Sequence, residues 1–423
     1  MKHFVVAPLL AFFLIENGFF TSTRNQTSDK VFSMTVATEE EAATIRNVSS
    51  HPEVVLWQPD SPQNIKAGTE THLYIPGSSV ERIKELLHQN GVKHTVLLEN
   101  VQELIDMQTK NDSNDPRSSV SFYERYHPLD EIYSWINKTA QDNPHLVRTI
   151  LIGSTFEKRP LYVLKLSGRN PSRAMWMDCG IHAREWISPA FCLWFVQYVI
   201  QFYNTNPEIT QILDNMDIYI LPVLNPDGYL FTWTNNRMWR KNRSQYEDSD
   251  CIGADLNRNF DANWCTEGSS PRPCDETYCG PFPESESETK AVATFLRSKK
   301  HIMKLYISIH SYSQMLLFPY SYTYKQADNH NELFTLAREA ALKIKRHYGN
   351  HYRYGAGAKT IYLAPGGSDD WAYDIGIDYS FTFELRDRGQ YGFLLPPSYI
   401  AVACNEALTA VKSIATGIVK KMG

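Results

Sequence analysis

A chain of 423 residues is long enough for two folding units, and its apolar and charged contents of 43% and 21% are those of a globular protein. A net charge of −5, with no dense Lys/Arg run outside residues 237–243, gives no footing for nucleic-acid binding. After the N-terminal segment no long apolar run stands out, so a soluble product with no membrane anchor is expected.

Lys2 followed by the mostly apolar Phe4 to Ile15 has the size of a signal-peptide core, so residues 1–22 are expected to direct export. Seven cysteines, at 179, 192, 251, 265, 274, 279 and 404, agree with an oxidising compartment and leave at least one unpaired. The spacing between Cys251 and Cys279 fits no C-x-x-C knuckle, so loop-stapling disulfides are the better reading. Sequons at Asn25, Asn47, Asn111, Asn137 and Asn242 suit a secreted glycoprotein.

Residues 23–117 read as a separate module. Val31 to Val36 is strand-like and Thr38 to Asn47 helical with a capping Thr, followed by strand-like Glu53 to Trp57 and Thr71 to Ile75. Ser78 to Gln89 is a helix stopped by Asn90-Gly91, and Lys93 to Leu98 a last strand. The order β-α-β-β-α-β predicts a ferredoxin-like fold. Its histidines and carboxylates are expected on loops or solvent faces, so the module is expected to cover something else. Val101 to Gln108 continues as a helix into the polar stretch Lys110 to Ser119, an exposed linker in which Arg117 suits a trypsin-like protease.

Residues 118–423 alternate helix and strand patterns, which predicts an α/β sheet covered by helices on both faces. Leu129 to Gln141 is helical with Asn137 on its face, and Arg148 to Ile152 and Leu161 to Ser167 are strands. Ala174 to Met177 is a buried strand, and Asp178 to Trp186 lies where it hands over to a helix. Within that stretch His182 and Glu185 stand three apart, on one side of a turn, able to hold a cation together. Ile218 to Val223 is a strand running into a turn at Asn225-Pro226-Asp227-Gly228. Arg237 to Arg243 is either a solvated basic face or an anion-binding rim.

Lys304 to Ile309 is a strand ending at His310, the place from which a third ligand should come. Two histidines and one carboxylate leave a tetrahedral position open, the arrangement of a catalytic zinc. Cobalt or nickel would also be accepted by such donors. In Ser380 to Arg386 the alternation places Glu384 among bulky apolar neighbours, half buried and suited to general-base work unless it simply pairs with Arg386.

Asp178 to Trp186, Arg237 to Arg243, Asn257-Arg258, His310-Ser311-Tyr312 and Phe383 to Arg386 together resemble the zinc metallocarboxypeptidases of the pancreatic A/B type. The resemblance covers nearly everything after the signal. It implies a mixed, twisted sheet of about eight strands with helices on both faces, secreted as a zymogen whose propeptide covers the site. By residue, it implies zinc on His182, Glu185 and His310, a general base at Glu384, and a transition-state stabiliser at Arg240. The substrate's terminal carboxylate falls to Asn257, Arg258 and Tyr362, with Arg184, Ser311 and Tyr312 lining neighbouring subsites. Asp369 stands where A-type relatives carry an apolar residue, which implies peptides and proteins ending in Arg or Lys as substrates; Ser321 and Gly357 would shape the pocket wall. Family pairing joins Cys179 to Cys192, Cys251 to Cys274 and Cys265 to Cys279, leaving Cys404 free.

Phe156 to Lys158, Ile187 to Phe195 and Tyr362 to Pro365, with the sequon-bearing propeptide, look most like the plasma branch of the B-type enzymes. That branch implies activation by a protease such as thrombin or plasmin, and trimming of fibrin fragments and kinins that slows clot dissolution. The digestive B-type enzyme is the near alternative. A silent binder of basic chain ends is a poorer reading, because it has no use for Glu384 or Arg240. Asp378, where relatives usually carry a basic residue, and the lack of a clean signal cut site are departures.

Overall fold

The computed structural model describes residues 28–110, 121–169 and 171–422. The expected signal segment 1–22, Asn25, Asn111 and Arg117 lie outside the described residues.

The N-terminal module runs β1 (Lys30–Thr35), α1 (Glu39–Ser49), β2 (Val55–Gln58), β3 (Glu70–Ile75), α2 (Val80–Gln89) and β4 (Thr95–Leu98). Its strands form an antiparallel sheet in the order β2-β3-β1-β4. Thr38 caps α1 by accepting from the Glu41 N–H at 3.2 Å, while the Glu41 carboxylate returns to the Ala37 N–H at 2.7 Å. Alternate residues of β1 and one face of each helix then close a core around Phe32, Met34, Ile45, Leu73, Ile83 and Leu87. α3 (Val101–Thr109) leads out of the module toward the large domain.

In the large domain α4 (Leu129–Asp142) precedes β5 (Val147–Ser154), β6 (Pro160–Leu166) and β7 (Arg173–Cys179), and then come α5 (Ile187–Phe202), α6 (Pro207–Asn215), β8 (Met216–Leu221) and α7 (Pro226–Thr234). α8 (Ser287–Lys299), β9 (Met303–Ser311), β10 (Met315–Phe318), α9 (His330–Tyr348), β11 (Arg353–Ala356), α10 (Gly357–Thr360), α11 (Ser368–Asp374), β12 (Tyr379–Leu385) and α12 (Ile400–Met422) complete it. The eight strands order as β11-β10-β12-β9-β7-β8-β6-β5, and β12, β9, β7 and β8 at the centre are mutually parallel. Side chains alternate across this sheet: Met175, Met177 and Cys179 join a core under α4, α5, α6, α9 and α12, while Ala174 and Trp176 face α8 and α11.

Asn225 to Gly228 is not a free turn but the start of α7. Asn225 caps it by accepting from the Gly228 N–H at 2.9 Å, and Pro226 occupies the first helical turn. Asn, Pro and Gly close together signal a turn and a helix start equally well, and here the helix prevails. A second surprise is α12, long and apolar enough to cross a membrane by composition, of which 72% of the apolar window is buried. It packs on α5, α6 and α9 as a core helix.

Three disulfides occur among the described residues. Cys179–Cys192 clips β7 to α5, while Cys251–Cys274 and Cys265–Cys279 staple the loop that presents Asn257 and Arg258; Cys404 is buried in α12 as a free thiol. Asn47 and Asn137 are exposed on helix surfaces. Asn242 is not: fully buried, it donates to Glu286 Oε2 at 2.7 Å and Ser244 Oγ at 2.9 Å, and accepts from the Ala254 N–H at 2.8 Å. The expectation of a glycan at Asn242 is therefore wrong, because its amide is already committed inside the fold.

Candidate metal centre and substrate cleft

The carboxyl ends of the central parallel strands open on one crevice, and the side chains of the site are delivered there. β7 ends at Cys179, and Gly180, at φ +66°, turns the chain into the bend that carries His182 and Glu185 ahead of α5. His310 arrives from the end of the adjacent β9, and Glu384 from β12, in register beside His310.

His182 Nδ1, Glu185 and His310 Nδ1 all lie within 4.8 Å of one another and are buried. His182 Nδ1 is 2.7 Å from Glu185 Oε1, and His310 Nδ1 is 3.3 Å from Glu185 Oε2 and 3.2 Å from His182 Nδ1. The other nitrogen of each ring has its own partner: His182 Nε2 lies 3.1 Å from Asp255 Oδ1, and His310 Nε2 lies 3.0 Å from Ser308 Oγ. With Nε2 protons so placed, two Nδ1 lone pairs converge on one carboxylate, an arrangement that calls for a cation between them. The electrostatics agree. Burial opposes ionisation of Glu185, but His182 and His310 hold its carboxyl well below the usual range. Burial likewise opposes the charge on His310, yet Glu185 carries it up to about 9.

Around this trio Arg237, Arg240 and Lys241 are buried and Arg243 is half-buried, so that run is not a solvated face. Arg240 makes a two-pronged contact with Asp255 Oδ2 at 2.9 and 3.1 Å, and Arg237 stacks 3.9 Å from the Trp186 ring centroid. Asp255, bonded to both His182 and Arg240, was not singled out in the sequence. Its signal was its place at the start of Asp255-Leu256-Asn257-Arg258, where it accepts from the Asn257 N–H at 3.0 Å. Burial pushes the Glu384 carboxyl up to about 8, with His310 opposing. Its pairing with Arg386 does not occur, since Arg386 bonds Glu406 at 2.8 and 2.9 Å.

A cavity of about 690 Å³ joins the trio to Arg240, Asn257, Arg258, Ser311, Tyr312, Ser321, Tyr362, Asp369 and Glu384. Arg184 and Gly357 stand behind its wall. Arg184 lies 4.3 Å over the Phe393 ring, and a Cβ on Gly357 would come within 2.0 Å of Ser321 Oγ, so only glycine leaves Ser321 its place. Asp369, in the first turn of α11, is buried with its Oδ2 lacking any hydrogen-bond partner, and burial raises its carboxyl above the usual value. Its neighbour Asp370 is satisfied by the N–H groups of Ser321 and Tyr322 at 2.8 to 3.0 Å. Ser311 Oγ is likewise buried and unpartnered.

The N-terminal module reaches into the same cavity: of the groups expected on loops or solvent faces, Asp60 does lie on a loop but is buried, and His72 is buried on β3. Asp60 forms a buried ion pair with Arg258, His72 Nδ1 lies 2.8 Å from Tyr312 Oη, and Arg184 Nη2 reaches the Leu56 carbonyl at 3.5 Å. Asp60 lies on a loop and His72 on β3, and neither belongs to a spacing pattern that marks contact with a distant domain.

The family model for zinc carboxypeptidases matches residues 132–410, and that for the carboxypeptidase activation peptide matches residues 32–108. Carboxypeptidase B2 of Bos taurus is 51% identical over 397 residues, spanning 93% of this chain and 94% of that protein. Carboxypeptidase B of Homo sapiens is 47% identical over 396 residues, with 93% and 94% covered. A crystal structure of thrombin activatable fibrinolysis inhibitor superposes with a TM-score of 0.89 at 51% identity, covering 93% of this chain and 99% of that one.

Proposed function

The chain belongs to the zinc carboxypeptidase family and carries that family's activation peptide, and from this premise we propose that it is the secreted zymogen of an exopeptidase for C-terminal Arg and Lys. Zinc is the cofactor. The observation that carries the specificity is Asp369, a buried carboxylate at the cleft with an oxygen that nothing in the protein satisfies. A guanidinium or ammonium would satisfy it, while an apolar side chain would leave it buried and unpaired.

His182, Glu185 and His310 would hold the zinc, which supplies a Lewis acid able to activate water and polarise a carbonyl at neutral pH. Glu384, with its raised proton affinity, accepts the proton lost by the attacking water and later gives it to the leaving amine. Arg240, buried and oriented by Asp255, presents a fixed cation to the oxyanion as it develops. Arg258, with Asn257 and Tyr362, receives the substrate's terminal carboxylate, which restricts cleavage to chain ends. Ser311 and Tyr312 line the approach of the preceding residues with Arg184 behind them, and Ser321 and Gly357 shape the pocket over Asp369.

Latency follows from Asp60. Its carboxylate occupies Arg258, the group assigned to the substrate's carboxylate, so the activation peptide blocks the site with the chemistry the substrate would use. Cleavage after Arg117 would release it, dividing the chain into signal 1–22, propeptide 23–117 and enzyme 118–423. The likeness to a thrombin activatable fibrinolysis inhibitor supports thrombin or plasmin as activator, plasma as the location, and fibrin fragments and kinins as substrates. The signal-like N-terminus, three disulfides and sequons at Asn25, Asn47, Asn111 and Asn137 support secretion. The test is to treat the protein with trypsin or thrombin and offer matched peptides ending in Arg, Lys, Phe and Asp, with and without a chelator. Release of Arg and Lys alone, abolished by chelation, is expected; rapid release of Phe would overturn the specificity.

A further inference from the structure

The stretch Asp178 to Trp186 has one charged member with no place in the cleft. Asp178 lies fully buried near the end of β7, beside Ser308 in the parallel ladder with β9. Ser308 Oγ is 2.7 Å from Asp178 Oδ1 and 3.0 Å from His310 Nε2, so the hydroxyl bridges carboxylate and imidazole. The second carboxylate oxygen accepts from Tyr306 Oη at 2.6 Å and from Trp176 Nε1 at 2.8 Å. Burial raises the Asp178 carboxyl, and the donors Tyr306, Ser308 and Trp176 oppose that rise.

The direction of these bonds decides what His310 can do. A serine hydroxyl has one proton to give. If Ser308 gave it to His310, Nε2 would act as acceptor and the ring proton would sit on Nδ1, the atom facing Glu185 and His182. If Ser308 gives it to Asp178, the hydroxyl accepts from Nε2–H, and Nδ1 keeps a lone pair for a cation. His182 has its Nε2 beside a carboxylate directly, Asp255 at 3.1 Å, whereas His310 Nε2 meets Ser308 Oγ at 3.0 Å, with Asp178 one bond beyond. Hydrogen-bonded partners of this kind fix the tautomer and orientation of a metal-binding histidine.

We propose that Asp178 is a positioning residue which, through Ser308, holds His310 in the tautomer that binds zinc and thereby sets how tightly the site retains the metal. The assignment rests on reading His182, Glu185 and His310 as the ligands. Asp178 does not touch substrate, and a purely structural Asp178, tying β7 to β9 through Tyr306 and Trp176, would leave zinc affinity alone.

The experiment measures the zinc dissociation constant of the full-length holoprotein by chelator competition, with the thermal midpoint recorded for each variant. Ser308→Ala should bind zinc about 10 to 100-fold more weakly, the range found for lost outer-shell partners, and Ser308→Thr, which keeps the hydroxyl, should recover most of that. Asp178→Asn should weaken zinc in the same range. Tyr306→Phe removes a bond to Asp178 but leaves the path to His310 intact, so it should lower the midpoint without altering zinc affinity. Wild-type affinity in Ser308→Ala, or equal weakening in Tyr306→Phe, would overturn the relay. His310→Ala separates the two readings: it should lose zinc outright, and zinc retained there would overturn the ligand assignment and the relay with it.

Discussion

Asp60 and Arg258, 198 positions apart in the chain, meet as a buried ion pair at the mouth of the cleft. Arg258 also donates to the Asn257 carbonyl at 2.8 Å and lies 3.3 Å from the Gly268 carbonyl, so its fork is held in place with one side turned to the module that must leave. Removing one partner of a buried pair costs about 3–5 kcal/mol, because the other charge is left unpaired. Asp60→Ala should therefore loosen the cover and raise the uncleaved protein's activity on a short Arg-terminated peptide by at least ~10-fold. The cleaved enzyme should be unaffected. A zymogen as silent as the wild type would show that the remaining contacts, His72 to Tyr312 and Arg184 to Leu56, suffice alone.

Glu384→Gln keeps the shape of the side chain and removes its proton affinity. General-base catalysis is worth about 10²–10⁴-fold, so kcat of the cleaved enzyme should fall by that much with KM and zinc content little changed. Loss of zinc in this variant would move Glu384 from proton transfer to metal binding.

Asp369→Asn should lower kcat/KM for Arg and Lys ends by about 10²–10³-fold, the equivalent of leaving a buried cation without its charge partner. Peptides ending in Phe or Leu should lose much less. Steady-state rates on matched peptides decide it, and an unchanged Arg preference would place selectivity elsewhere in the cavity.

Glu288 offers a pH-dependent test away from the site. Burial pushes its carboxyl from the ordinary 4.5 up to about 7, with Glu286 beside it adding to the rise. Between those values the folded protein holds a proton that the unfolded chain has released, so the contribution to stability is complete below about 4.5 and is lost as pH rises through about 7. The loss is roughly 3 kcal/mol at 1.36 kcal/mol per pH unit. Urea titrations from pH 4.5 to 8 should show a flatter stability profile in Glu288→Gln than in the wild type. Parallel profiles would mean that Glu288 titrates normally.

Much of the architecture was legible one segment at a time. The six elements of the N-terminal module and the alternation of the large domain follow from periodicity and caps, and the boundaries moved by only a residue or two at most strands. Asn225 to Gly228 misled because one residue set serves both turns and helix starts. Asn242 misled because a sequon says nothing of burial, and the amide it needs is spent on Ser244 and Glu286.

From residue order alone came the pairing of His182 with Glu185, since one turn of backbone sets the distance between them. Local chemistry likewise marked Glu384 as a carboxylate among apolar neighbours. Three matters belonged to tertiary structure: that β9 lies beside β7 and brings His310 to within 3.3 Å of Glu185, that Asp255 serves both His182 and Arg240, and that Asp60 crosses to Arg258. Each joins residues far apart in the chain, and the energy that brings them together comes from burying sheet and helix faces elsewhere. A side chain's own sequence neighbours carry no record of that.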